Sequence, residues 1–159
     1  MTGTDLALAS CALAVHDVDA ALGFYRDVLG FEVGEDVGPD GGRRIHVRPP
    51  AQPDVRILLA APDTDPGVPS DDRHAIGELL AKGLLSRLVF TTGDCDATFR
   101  HIEATGAEVM QEPIDQPDGA RDCAFLDPSG NILRFTQPTR ALPPPGPRRA
   151  RSATDDETS

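Results

Sequence analysis

Apolar and polar side chains alternate with a period of two over several short segments of the chain and recur at helical spacing over two others. Cys11, Leu13 and Val15 alternate with Ser10, Ala12 and Ala14, and Val55, Ile57 and Leu59 with Arg56, Leu58 and Ala60. Further along, Leu88 and Phe90 alternate with Arg87, Val89 and Thr91, and Leu133 and Phe135 with Arg134 and Thr136. Successive side chains of a strand point to opposite faces, so each segment offers one face to a core and keeps the other free of it. The pattern predicts short strands over residues 43–48, 54–60, 120–127 and 131–136. Leu22, Tyr25, Val28 and Leu29 form one apolar stripe of helical spacing, and Phe99, Ile102 and Thr105 form a second.

These elements recur. Asp17-Val18-Asp19-Ala20-Ala21-Leu22 is echoed by Asp94-Cys95-Asp96-Ala97-Thr98-Phe99, and Gly30-Phe31-Glu32-Val33 by Gly106-Ala107-Glu108-Val109. The offset is 77 residues at the aspartates and 76 at the glycines, which places a one-residue length change inside a helix-sized segment. In each copy an apolar run precedes the Asp, a helical stretch follows, and a glycine stands where a helix end favours a left-handed residue. Each copy therefore reads as βαβββ, the first over residues 1–60 and the second over 85–137. In the linker, 61–84, Ser70-Asp71-Asp72 offers an N-cap and an acidic first turn to a short helix ending at Gly83. Residues 138–159 are Pro-rich and then polar, the composition of a flexible tail, whose Arg148, Arg149 and Arg151 are expected to be solvated.

Composition narrows the classes. A chain of 159 residues, 39% hydrophobic and 26% charged, has room for one globular domain or two half-size modules sharing a core. No apolar run approaches the roughly 20 residues that span a bilayer, and residues 1–9 lack the basic and apolar parts of a secretory signal. Cys11, Cys95 and Cys123 are odd in number and form no CxxC pair, which fits a reducing compartment, and a cytoplasmic location is expected. A net charge of -11 disfavours nucleic acid and anionic lipid as partners. All of the 15 basic residues except Lys82 are arginine, the side chain suited to planar recognition of oxyanions.

Two βαβββ modules, Val15-His16-Asp17 between strand and helix, Phe24-Tyr25 followed by Leu29-Gly30-Phe31, and Asp127-Pro128-Ser129-Gly130-Asn131 before the last strand together resemble the vicinal oxygen chelate superfamily of glyoxalases, bleomycin-resistance proteins and dioxygenases. The resemblance covers about residues 8–137. It implies an α+β fold in which the two modules form a curved eight-stranded mixed sheet around a shared cavity. It also implies a homodimer, and often a divalent metal held by one ligand from each of four strands. The positions matching those ligands are Ser10, a position near Leu58, Arg87 and Arg134. None is a His or a carboxylate, and two guanidiniums would repel a cation, so no metal or other cofactor is expected there.

If the apolar face of each strand packs under a helix, the opposite face lines the cavity. That face carries Arg56, Leu58, Arg87 and Arg134, with Arg44, His46 and Arg48 on the third strand and Asp122 on the seventh. Arg44 and Arg48 have the alternative of lying wholly in solvent. A buried, unpaired guanidinium costs several kcal/mol, so Arg87 and Arg134 need a partner, either an acid such as Asp122 or an anionic group on a ligand. His46 is the one His directed inward and is a candidate general acid or base, with a merely hydrogen-bonded His as the alternative. Cys123, on the face of Phe125, reads as an inert buried thiol.

Three functions follow from the resemblance. The first is a metal-independent binder that sequesters or carries a small molecule, with the arginine lining favouring an anionic ligand. The second is a glyoxalase-like lyase or dioxygenase with a relocated metal site or a metal-free mechanism. The third is an interaction module whose cavity has decayed.

Overall fold

The computed structural model describes residues 3–37, 43–62 and 67–139. The tail expected over 138–159 lies outside them except for Pro138 and Thr139, and so does the side chain of Arg44. The first module runs β1 (Ser10–Ala14), α1 (Val18–Leu22) continuing into a π-helical turn (Gly23–Val28), β2 (Glu32–Val37), β3 (Arg43–Arg48) and β4 (Arg56–Ala60). A linker helix, α2 (Ser70–Ala81), leads to the second: β5 (Arg87–Thr91), α3 (Cys95–Glu103), β6 (Glu108–Asp115), β7 (Arg121–Leu126) and β8 (Ile132–Gln137).

The internal repeat reappears as identical topology. The strands form two four-stranded mixed sheets, ordered β1-β4-β3-β2 and β5-β8-β7-β6, and in each the first strand is parallel to the last while the other pairings are antiparallel. The repeated aspartates start the helices. Asp17 is extended and its carboxylate accepts from the backbone N–H groups of Asp19 and Ala20, while Asp94 accepts from that of Ala97. Such caps satisfy donors that a first helical turn leaves free. Gly30 and Gly106, at φ 72° and 85°, end the helical segments in the left-handed region.

The one-residue offset between the copies has a structural cause. In the first module the Leu29 N–H donates to the Phe24 carbonyl five residues back, at 3.1 Å, so a π-helical turn absorbs the extra residue between Asp17 and Gly30. The second module has α-helix in the matching segment. The turn buries both Phe24 and Tyr25.

The apolar strand faces behave as their alternation predicts. Leu13, Val15, Ile57 and Leu59 join Phe125, Leu133 and Phe135 in one core that crosses the module boundary at the Phe31–Phe90 ring contact, with Phe90 stacked on Phe135. Two expected details differ. Ser70 is the first residue of α2 and caps nothing with its side chain, because Pro69 holds the cap position. Thr105 is exposed rather than part of an apolar stripe, and its hydroxyl donates to the Ile102 carbonyl at the end of α3.

The junction between modules is fastened at the β7–β8 turn. Asp127 is buried, and its Oδ1 accepts from the backbone N–H groups of Ser129, Gly130 and Asn131. Its Oδ2 accepts from the Tyr25 hydroxyl at 2.8 Å and from Asn131 Nδ2 at 2.9 Å. Asn131 Nδ2 also donates to the Ala14 carbonyl, and the His16 N–H donates to Ser129 Oγ, so the turn grips the end of β1. Gly130, at φ 105°, lies against the Leu80 carbonyl of α2, where any Cβ would collide with backbone.

Removing the hydroxyl in Tyr25→Phe leaves Asp127 one donor short in a buried setting. It should destabilise the protein by about 1–3 kcal/mol, read as a lower urea midpoint with an unchanged slope; a wild-type midpoint would show that this bond contributes nothing.

Candidate functional site

Each sheet turns one face to the shared core and leaves the other open. On the first sheet the open face carries Ser10 from β1, Arg56 and Leu58 from β4, and His46 and Arg48 from β3. Ser10 stands beside Arg56 and His46 beside Leu58 in the ladders. Ser10 and Arg56 are exposed. His46 is only 7% exposed, its ring lying over Gly34 of β2 so closely that a side chain at Gly34 would displace it. A general acid or base needs access to its substrate, and this imidazole is covered. Arg48 is partly buried, and its Nε has no hydrogen-bond partner among the described residues.

The open face of the second sheet brings together Arg134 and Asp122, with Arg87 nearby. Arg134 Nη1 lies 3.1 Å from Asp122 Oδ2 and donates to Gln111 Oε1 at 3.2 Å. Asp122 Oδ1 accepts from the side-chain amides of Gln111 at 2.7 Å and Gln116 at 2.9 Å. Burial works against ionisation of Asp122, but the hydrogen bonds from Gln116 and Gln111 and the charge of Arg134 outweigh it and hold the carboxyl below its ordinary range. Of the two partners open to Arg134, the structure supplies the acid.

Arg87 is placed differently. It stands on the edge strand β5 and is exposed, so the desolvation that would compel a partner does not act on it. Arg87 and Arg134 both line a small hollow of about 130 Å³ together with Met110, Gln111, Ala124 and Ile132. No residue of the first module lines it, so Ser10, His46, Arg56 and Leu58 belong to a separate face. Cys123 is fully buried, and burial, with its neighbour Cys95, pushes its thiol up to about 12, far from thiolate chemistry at neutral pH.

The residues that alternation does not reveal are Gln111 and Gln116. The β6–β7 register shifts between Val109 and Gln111 and again between Gln111 and Ile114, and each irregularity resets which side chains share a face. A glutamine in an irregular strand gives no signal until its partner is known.

A divalent ion does not fit the four positions that the family resemblance marks. Ser10 offers one neutral oxygen, Leu58 none, and Arg87 and Arg134 are cations. Asp122 is committed to Arg134, and among the described residues no group of three His, Cys, Asp or Glu side chains is arranged to hold a metal ion. Among the described residues no helix is long and apolar enough to cross a membrane.

The Glyoxalase/Bleomycin resistance protein/Dioxygenase superfamily matches residues 7–135. The chain is 30% identical over 148 residues to the anthracycline biosynthesis protein DauV of Streptomyces sp. (strain C5), covering 90% of this chain but 46% of that protein, so it spans about half of that relative's length. Among solved structures, UcmS2 is 28% identical with a TM-score of 0.76, covering 84% of this chain and 98% of its own. TnmS3, an antibiotic binding protein from Streptomyces sp. CB03234, is 25% identical with a TM-score of 0.66, covering 86% and 99%.

The depressed Asp122 carboxyl makes stability depend on pH. Because it stays ionised in the folded protein to lower pH than in the unfolded chain, its contribution is complete above the ordinary value of 3.8 and fades as pH falls through the folded value. Urea-unfolding free energies measured from neutral to acidic pH should fall less steeply in Asp122→Asn than in the wild type. Superimposable curves would mean that the network does not hold this carboxyl.

Proposed function

The chain belongs to the Glyoxalase/Bleomycin resistance protein/Dioxygenase superfamily, and we propose that it is a metal-independent small-molecule-binding protein of that superfamily, which sequesters or carries an aromatic ligand bearing an anionic group. The observation that carries this reading is the set of guanidinium groups on the open sheet faces that lack acid partners. The Arg48 Nε is buried without an acceptor among the described residues. Among the described residues neither Arg56 nor Arg87 has an ion-pair partner. A carboxylate or phenolate would give Arg48 Nε the acceptor it lacks and could pair with the exposed Arg56 and Arg87 in planar, charge-assisted geometry.

Arg134 has a supporting role in this reading. Asp122 and Gln111 fix its orientation through one nitrogen, which leaves the rest of the guanidinium presented to the open face in a set direction. The acidic body of the chain argues for a cationic ligand, but surface charge is screened within about 10 Å at moderate salt, so the local arginines decide the sign.

The ligand class follows from the relatives. TnmS3 is described as antibiotic binding and DauV as an anthracycline biosynthesis protein, both consistent with an aromatic natural product or its precursor as the occupant here. A homodimer completes the proposal. Val89, Met110 and Ile114, at 63%, 51% and 45% exposure, leave apolar area uncovered in one chain, and a second copy would close the open faces into a cleft.

A thermal-shift screen of anionic and cationic aromatic compounds tests the reading. An anionic ligand at 100 times its dissociation constant should add about 2.7 kcal/mol of stability. Arg56→Ala or Arg87→Ala should weaken it by about 1.5–3 kcal/mol without lowering the melting temperature of the free protein. Unchanged affinity in both variants, preference for cations, or a stoichiometric metal whose chelation abolishes binding would each overturn it.

A further inference from the structure

We propose a second small-molecule site, at the module junction on the helix side of the sheets, built for an uncharged, flat aromatic molecule carrying a hydrogen-bond donor. A groove of about 470 Å³ lies there, within the range of drug-sized sites. The first module supplies the end of the π-helical turn, Phe31 and the Pro49–Ala51 connection. The second supplies the end of β5, one face of α3, and Phe135.

Its charge balance identifies the occupant. Although 26% of the chain is Asp, Glu, Lys or Arg, none of these lines the groove. A charged ligand would lose its hydration there without gaining a counter-charge, whereas a neutral one meets no such penalty. This distinguishes the groove from the arginine-bearing sheet faces. The floor is aromatic: Phe90 meets Phe31 edge-on at 5.5 Å and stacks on Phe135 at 5.6 Å, and it is only partly buried, so part of its surface remains for a planar ring.

A polar handle is fixed at the rim. His101 Nε2 lies 2.7 Å from the Val28 carbonyl oxygen, one of the carbonyls that the end of a helical segment leaves free. A carbonyl only accepts, so Nε2 carries the hydrogen, and in a neutral imidazole that leaves Nδ1 as the acceptor. Thr92 and Thr98 are already engaged, their hydroxyls 2.7 Å apart and that of Thr98 donating to the Asp94 carbonyl. The groove therefore offers an acceptor to a ligand donor at its rim and aromatic surface beneath.

Strand β5 separates this site from the open face. Phe90 points to the groove, while Arg87 and Val89 point to the other side, so the two sites stand back to back on one strand.

Naphthol, uncharged at neutral pH and bearing one donor, is the probe, titrated into the full chain and followed by its fluorescence and by amide NMR. Saturable shifts should centre on Thr91, Thr92 and residues 97–102. Ala97→Trp, at an exposed position in the lining, should fill the groove and weaken binding about tenfold, and naphthalenesulfonate should not compete. The proposal fails if naphthol does not bind, if its shifts map to Arg87, Val89 and Met110, if Ala97→Trp binds as the wild type does, or if the sulfonate competes equally. A fall from dimer to monomer in Ala97→Trp by light scattering would assign the groove to a second copy and also overturn it.

Discussion

The structure depends on a buried carboxylate that has no ion-pair partner among the described residues. Asp127 is held by five donors: three backbone N–H groups of its own turn, the Asn131 amide and the Tyr25 hydroxyl. A carboxyl removed from water is tolerable only when its oxygens are so occupied. Each donor fixes something else in turn. The backbone donors shape the β7–β8 turn, Asn131 ties it to the end of β1, and Tyr25 ties it to the helical segment of the other module. The π-helical turn belongs to the same constraint, because it carries Tyr25.

With the helix-covered faces locked into one core, the opposite faces carry most of the chain's described arginines outside the helices, and their polar groups are satisfied unequally. The second sheet spends its carboxylate on Arg134 and braces the pair with two glutamines. The first sheet leaves Arg48 and Arg56 without such an acid among the described residues. The two modules thus share a topology but differ in how far their polar groups are satisfied internally.

Much of the fold was legible because it rests on local rules. Period-two alternation assigned the faces of β1, β4, β5 and β8, and the repeated Asp and Gly marked helix starts and ends. The site was less legible, because alternation states which way a side chain points and not what covers it. Arg87 and Arg134 share a face, yet one is exposed on an edge strand and the other is paired beneath two glutamines. His46 points to the expected side and is nevertheless buried over Gly34. Gln111 has no clear face because register irregularities in β6 interrupt the alternation, Gln116 lies beyond the strand in the β6–β7 turn, and Ser70 fails as a cap because Pro69 occupies that position.

The one-residue difference between the copies has a consequence for how the duplicated chain has diverged. The position matching Tyr25 in the second helix is occupied by His101 or Ile102, depending on where the length change is placed, and neither carries a hydroxyl. The first module's counterpart of the β7–β8 turn opens on Pro49, Pro50 and Ala51, with no carboxylate at its head. The clasp thus runs one way, with the key on one half and the lock on the other. Two copies of either half alone would lack one of the two parts, so the halves of this repeat are complementary and not interchangeable.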